Sequence, residues 1–189
     1  MKIRLLIVVL SLSFAFSCKN NTEENKKDAE ATETALTAEQ LLFNVEMDVK
    51  AEKPDDFALY YTQDNSINFS DKEVVWRGVK GGMKSERLTF SLPENALPTN
   101  IRIDFGIKKD SKVITLERLK IAYLNKIIEV KGSEFLYYFM VNEKVQAVPD
   151  LEKGTITFTK NSKFPEETYY YYPSPALNDT IKVLTMGKK

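Results

Sequence analysis

Beyond residue 42 this chain alternates apolar and polar side chains, and that alternation limits its folds more than any other feature. Phe43, Val45, Met47 and Val49 are apolar, with Asn44, Glu46 and Asp48 between them. Successive side chains of a strand point to opposite faces, so a period of two describes a strand with one buried face. The pattern recurs through Phe57, Leu59 and Tyr61, through Leu88, Phe90 and Leu92, and through Ile101, Ile103 and Phe105. Val75, Arg77 and Val79 share one face of a further strand, with Val74 and Trp76 on the other. Ile127, Ile128 and Val130 form a short strand, and Ile156 with Phe158 and Ile181 with Val183 close the series. Between them stand turn signals: Pro54-Asp55-Asp56, Gln63-Asp64-Asn65, Gly81-Gly82, Pro93, Gly106 and Gly132. Ile114 and Leu116 change parity before Leu119 and Ile121, which predicts a bulge near Glu117-Arg118. One stretch differs. Phe135 with Phe139 and Leu136 with Met140 have helical spacing behind Ser133, so one or two capped helical turns are expected, with Tyr137 and Tyr138 over them. Many short strands with little helix predict an all-β sandwich or barrel. The reading adopted is a single jelly-roll-like β-sandwich with one short helix, over residues 41–189.

The first forty residues follow other rules. Lys2 and Arg4 precede an apolar run from Leu5 to Phe16 that only Ser11 and Ser13 interrupt, and Ala15-Phe16-Ser17-Cys18 ends it. A charged start, a short apolar centre and small residues at a cleavage point describe a secretory signal peptide, residues 1–17. The run is shorter than the roughly 20 residues of a membrane-spanning helix. Ala15, Ser17 and Cys18 resemble the lipobox of bacterial lipoproteins, although Ala15 stands where the pattern usually has leucine. The resemblance implies an acylated Cys18 carrying a diacylglycerol, with a further palmitate-type chain on the new amine. Two or more chains anchor stably to a bilayer. Lys19 and Asn20 do not resemble inner-membrane retention residues, so the outer membrane is the expected address, with the face left open. The alternative is an ordinary cleaved signal peptide with a stray cysteine. Residues 18–40 are polar and charged after the cysteine and read as a flexible tether, whose coil would span about 25 Å. A helical turn from Thr37 to Leu42 fits as well.

Composition removes several classes of chemistry. The chain has one Cys, no His, and 27 basic against 27 acidic residues. Without Lys2 and Arg4 the mature chain holds 25 basic against 27 acidic residues, a balance unlike that of a nucleic-acid binder. Absence of His excludes Ser-His-Asp and Cys-His nucleophile systems and His-containing zinc sites, and a lone Cys excludes all-cysteine zinc sites. No Gly-rich phosphate loop is present, and no cofactor or resident metal is expected.

From Ile67 to Gly132 the strand sequences are similar to β-sandwich modules of carbohydrate-binding type that accompany bacterial glycosyltransferases. The likeness is carried by Phe90-Ser91-Leu92-Pro93, by Ile101-Arg102-Ile103-Asp104-Phe105-Gly106, by Ile114-Thr115-Leu116-Glu117-Arg118-Leu119-Lys120-Ile121 and by Gly132-Ser133-Glu134-Phe135. It implies a jelly-roll sandwich, often without a demonstrated ligand, and no catalytic domain accompanies it here.

Sugars are held by aromatic ring faces plus a few polar groups, so aromatic clusters are the candidate sites. Tyr169, Tyr170, Tyr171 and Tyr172 cannot all face one way on extended backbone, and at least two must lie outward or cover a groove. They form either a binding wall or, the reading preferred, an edge segment packing over the sandwich. Trp76 is either an outward sugar platform or a core residue, and core is preferred. Tyr60 and Tyr61 carry the same ambiguity. Asp104 either holds a ligand hydroxyl or a calcium ion, or pairs with Arg102 or Lys120, and pairing is preferred. No two of the acidic residues stand out as a glycosidase pair. The expected function is non-catalytic recognition of a glycan or envelope partner. The alternative is a structural subunit docking on another envelope protein, and a small glycoside-acting enzyme stands third.

Overall fold

A computed structural model describes residues 36–108 and 113–186. The expected signal peptide, Cys18 and most of the expected tether lie outside the described residues. Residues 37–41, at the described end of the expected tether, make one turn. Thr37 donates its backbone N–H to Gln40 Oε1, Gln40 returns one to Thr37 Oγ1, and Leu41 donates to the Thr37 carbonyl.

The rest is an all-β sandwich of two antiparallel sheets. Its strands are β1 (Asn44–Ala51), β2 (Asp55–Thr62), β3 (Val74–Val79), β4 (Glu86–Ser91), β5 (Asn100–Asp104), β6 (Ile114–Tyr123), β7 (Lys126–Lys131), β8 (Val145–Asp150), β9 (Thr155–Lys160) and β10 (Tyr170–Tyr171). The first sheet runs β4-β1-β6-β9-β8, with β7 beside the second half of β6, and the second runs β10-β5-β2-β3. Two separate sheets make this a sandwich rather than a closed barrel.

The period-two rows meet in one core. Val45, Met47 and Val49 from β1 and Leu116, Leu119 and Ile121 from β6 are fully enclosed with Phe57, Leu59, Ile101 and Ile103 from the second sheet. Phe105 lies among rings, 4.8 Å from Phe158, 5.5 Å from Phe57, 5.7 Å from Phe135 and 5.9 Å from Tyr171. Burial of each such side chain stabilises the fold by about 1.5–3 kcal/mol. The parity change in β6 is a bulge at the expected place: Asp48 faces Arg118 while Val49 faces Leu116, so Glu117 is the extra residue. That residue lets both Leu116 and Leu119 reach the core.

Two local expectations are corrected, and one strand is added. Ile181 and Val183 do not form a strand. They belong to a second helix, α2 (Pro175–Thr185), which follows the short α1 (Phe135–Tyr138) in chain order. Ser174 caps α2 by accepting from the Leu177 N–H, Pro175 opens it, and Leu177, Ile181 and Leu184 are buried at helical spacing while Val183 is exposed. No side chain caps the start of the short helix, Ser133 included; the Glu134 carboxylate instead accepts from the Lys131 N–H at the start of the 3-10 turn Gly132–Glu134 that precedes it. Ahead of it, Gly132 lies so close to β6 that a Cβ there would stand 2.0 Å from the Leu116 carbonyl oxygen. Strand β8 was not expected. It is an edge strand with one buried residue, Val145, and it tolerates Pro149 because its outer side needs no N–H donor.

Candidate functional site

The two solvent faces of the sandwich differ in chemistry. The first sheet carries a ladder of ion pairs. Asp48 accepts from Arg87 Nε at 2.7 Å and from Arg118 Nε at 2.7 Å. Arg118 also reaches Glu129 at 3.0 Å, Lys120 donates to Glu46 at 2.7 Å, and Lys50 pairs with Glu117 at 2.6 Å. Charges so matched make the centre of this face ionic, while Ile127 and Val148 stand exposed on its outer strands β7 and β8.

The second sheet carries aromatics. Register puts Trp76 of β3 opposite Ala58 of β2, Ala58 opposite Asp104 of β5, and Asp104 opposite Tyr170 of β10. The adjoining row pairs Val74 with Tyr60 and Tyr60 with Arg102. Four strands cover about 14 Å at the usual spacing. Within these rows the side chains touch in series. Trp76 meets Tyr60 edge-on at 6.1 Å, and the Arg102 guanidinium lies 4.1 Å over the Tyr60 ring. The same guanidinium lies 5.5 Å from Phe69 and 5.6 Å from Tyr172, and Tyr172 meets Tyr170 edge-on at 5.8 Å. Asp104 holds the Arg102 fork with two hydrogen bonds of 2.8 Å each. The bidentate pair fixes the plane of the guanidinium against the rings.

Beyond Tyr172 the surface opens into a groove of about 680 Å³. Tyr170, Tyr172 and Pro173 form one side and Met140, Val141, Asn142, Glu143 and Lys144 another, with Ile67 and Asn68 at the rim. Two hydrogen bonds set its width: Met140 donates its backbone N–H to the Tyr172 carbonyl at 2.9 Å, and the Asn142 side-chain Nδ2 donates to the Tyr170 carbonyl at 3.1 Å. A bridge between Phe139 and Pro173 continues the pairing. Phe69 packs 5.7 Å from Tyr172 and so carries Ile67 and Asn68 to the rim.

Burial, with the carboxylates of Asp104 and Asp71, pushes the Tyr60 hydroxyl above its ordinary value, so it stays a donor to Asp71 at 3.3 Å. Burial also raises the Asp104 carboxyl, against the pull of Arg102. Burial, with Glu167 nearby, raises the Tyr170 hydroxyl. Tyr60 and Tyr170 are therefore neutral at physiological pH.

The structure brings Trp76, Asp104, Tyr170 and Tyr172 to one face and sends Tyr169 and Tyr171 inward. Trp76 is not a core residue: 41 % of it is exposed, because its parity is opposite to that of buried Val79. Tyr171 is enclosed among Phe105, Phe135 and Phe158, and the Tyr169 carbonyl accepts from the Phe105 N–H. The tyrosine run is thus both a core anchor and a groove wall, by alternation alone. Tyr61 faces the core and Tyr60 the outer face. Asp104 pairs with Arg102, while Lys120 lies on the other sheet with Glu46.

Sequence reasoning did not find Arg102 as the centre of the stack, nor Phe69, Ile67, Met140 and Val141 as its surroundings. The parity of Ile101 and Ile103 already put Arg102 outward. Phe69 and the rim residues lie in connections, where no period signals a direction. Among the described residues no group of three or more His, Cys, Asp or Glu is placed to hold a metal ion, and no helix is long and apolar enough to cross a membrane. No protein-family model, curated protein or solved structure matches the chain.

Proposed function

We propose that this chain is a lipid-anchored envelope protein whose sandwich recognises a glycan without catalysing a reaction. The observation that carries this reading is the open groove of about 680 Å³ with Tyr170 and Tyr172 along one side. Small-ligand sites span about 300–1,000 Å³ and combine an apolar wall with a few directed polar groups. Tyrosine rings supply the wall, and the amides of Asn68 and Asn142 supply donors and acceptors at the edge. The series of contacts from Tyr170 to Trp76 extends this surface across the sheet for a longer chain. The anchor rests on Cys18 behind its apolar run, and the outer-membrane address on Lys19 and Asn20.

Isothermal titration of the mature domain with soluble envelope oligosaccharides tests the reading. Saturable binding is expected, weakened about tenfold by Tyr172→Ala, which corresponds to ~1.4 kcal/mol. Circular dichroism checks that the variant folds. Unchanged affinity in a folded Tyr172→Ala protein would remove the groove from the account.

A second reading, docking on another envelope protein, is favoured by the exposed rim. Ile67 is 60 % exposed, Met140 56 % and Val141 64 %. Contiguous apolar patches of this kind occur at protein interfaces. Under it, Met140→Glu abolishes co-purification of one membrane protein while glycans give no response.

A further inference from the structure

We infer that the groove selects uncharged saccharides and rejects anionic ones, an inference that rests on the recognition reading above. The reason is how its charges are placed. Among the residues lining it only Glu143 and Lys144 are charged. Lys144 donates to Glu167 at 3.1 Å, so its ammonium is already matched. The cation packed against the Tyr172 wall, Arg102, is held by both carboxylate oxygens of Asp104 and covered by the rings of Tyr60, Phe69 and Tyr172. Glu143 has no ion pair among the described residues and is exposed. Each cation is therefore neutralised within the protein, and the surplus charge at the groove is negative.

A ligand carboxylate or phosphate would meet no free cation there and one free carboxylate. A neutral sugar needs no counter-charge. Its ring face can lie on Tyr170 or Tyr172, and its hydroxyls can meet the amides of Asn68 and Asn142. Anion recognition ordinarily uses unpaired Arg or Lys, and both of those near this groove are occupied. Charged groups about 4 Å apart interact by ~1 kcal/mol even in a fully aqueous medium, a factor of about five in affinity, and more where water is partly excluded. Such an effect weakens with salt, because screening shortens its range.

The test uses the mature protein and a panel of neutral hexose oligosaccharides, each beside its counterpart carboxylated at C6, titrated calorimetrically at low salt. The readout is the ratio of anionic to neutral affinity. Wild type is expected to bind each neutral member about fivefold or more tightly than its carboxylated counterpart, with the gap narrowing at high salt. Glu143→Gln removes the surplus charge and is expected to raise the ratio. Glu167→Gln, which frees Lys144, is expected to raise it further. Lys144→Gln frees Glu167 and is expected to lower it. A wild type that prefers the carboxylated members, or a ratio indifferent to all three substitutions, would overturn the selectivity while leaving glycan recognition standing. Failure of wild type to bind any member of either series would overturn recognition itself, and the selectivity with it.

Discussion

Asp48 accepts two arginines on one carboxylate, and acid should reveal what that contributes. The Arg87 hydrogen bond, joined by Arg118 and opposed by burial, holds the Asp48 carboxyl at about 2, below its ordinary 3.8. A carboxyl depressed in the folded state favours folding above its unfolded value and loses that contribution as pH falls through the folded value. The wild type is therefore expected to exceed Asp48→Asn in stability at pH 7, with the difference shrinking between about pH 4 and pH 2. Urea midpoints at pH 7, 4 and 2.5 measure it. A difference of the same size at all three would show that the ladder adds nothing through charge. Arg102 is bound differently, by one carboxylate and three rings, and the bulk of its surroundings is packing rather than charge.

Helix α2 is the element that most alters the plan of a simple sandwich. It packs on α1, β5 and β6, and Lys126 donates to the carbonyls of Val183 and Met186 at its last turn. Those bonds satisfy acceptors that a helix end leaves open. At the other end Ser174 links the helix to α1: its backbone N–H donates to the Tyr138 carbonyl and its hydroxyl to the Tyr137 carbonyl. Ser174→Ala is expected to cost about 1 kcal/mol through loss of the cap. Ile181→Ala, in the buried stripe, is expected to cost about 2–5 kcal/mol. Thermal unfolding of the two variants tests this ordering, and equal small shifts for both would mean that α2 is not part of the cooperative fold.

For the whole molecule, the proposed division of labour is between an ionic face, an aromatic face and an N-terminal attachment. Matched charges cover the first sheet, while the groove and the Trp76 row are where the proposed recognition would take place on the second. The proposed acylation acts on a different property, the protein's address. Two or more acyl chains hold a protein on a bilayer, whereas one chain does so only marginally. Labelled palmitate is expected to enter wild type and not Cys18→Ser, and the variant is expected to leave the membrane fraction. Retention of Cys18→Ser in that fraction without label would refute the anchor and leave the fold untouched.

Alternation was enough to determine the strands from Phe43 to Phe158 other than β8, the inward rows, and even the bulge at Glu117, because strand parity is a local property of consecutive residues. It also determined that Tyr170 and Tyr172 must oppose Tyr171. Ser174, Pro175 and the 177-181-184 spacing held the signal for α2, but the two-residue spacing of Ile181 and Val183 imitates a strand. Strand β8 left almost no pattern, since an edge strand buries little. What only the tertiary structure decided is which outward residues share a surface. Trp76, Asp104 and Tyr170 stand on three strands far apart in sequence, and the pairing register aligns them. The groove itself needs the connection carrying Ile67 and the segment 139–144 to meet β10, and contacts between distant segments are set by the packing of the whole core.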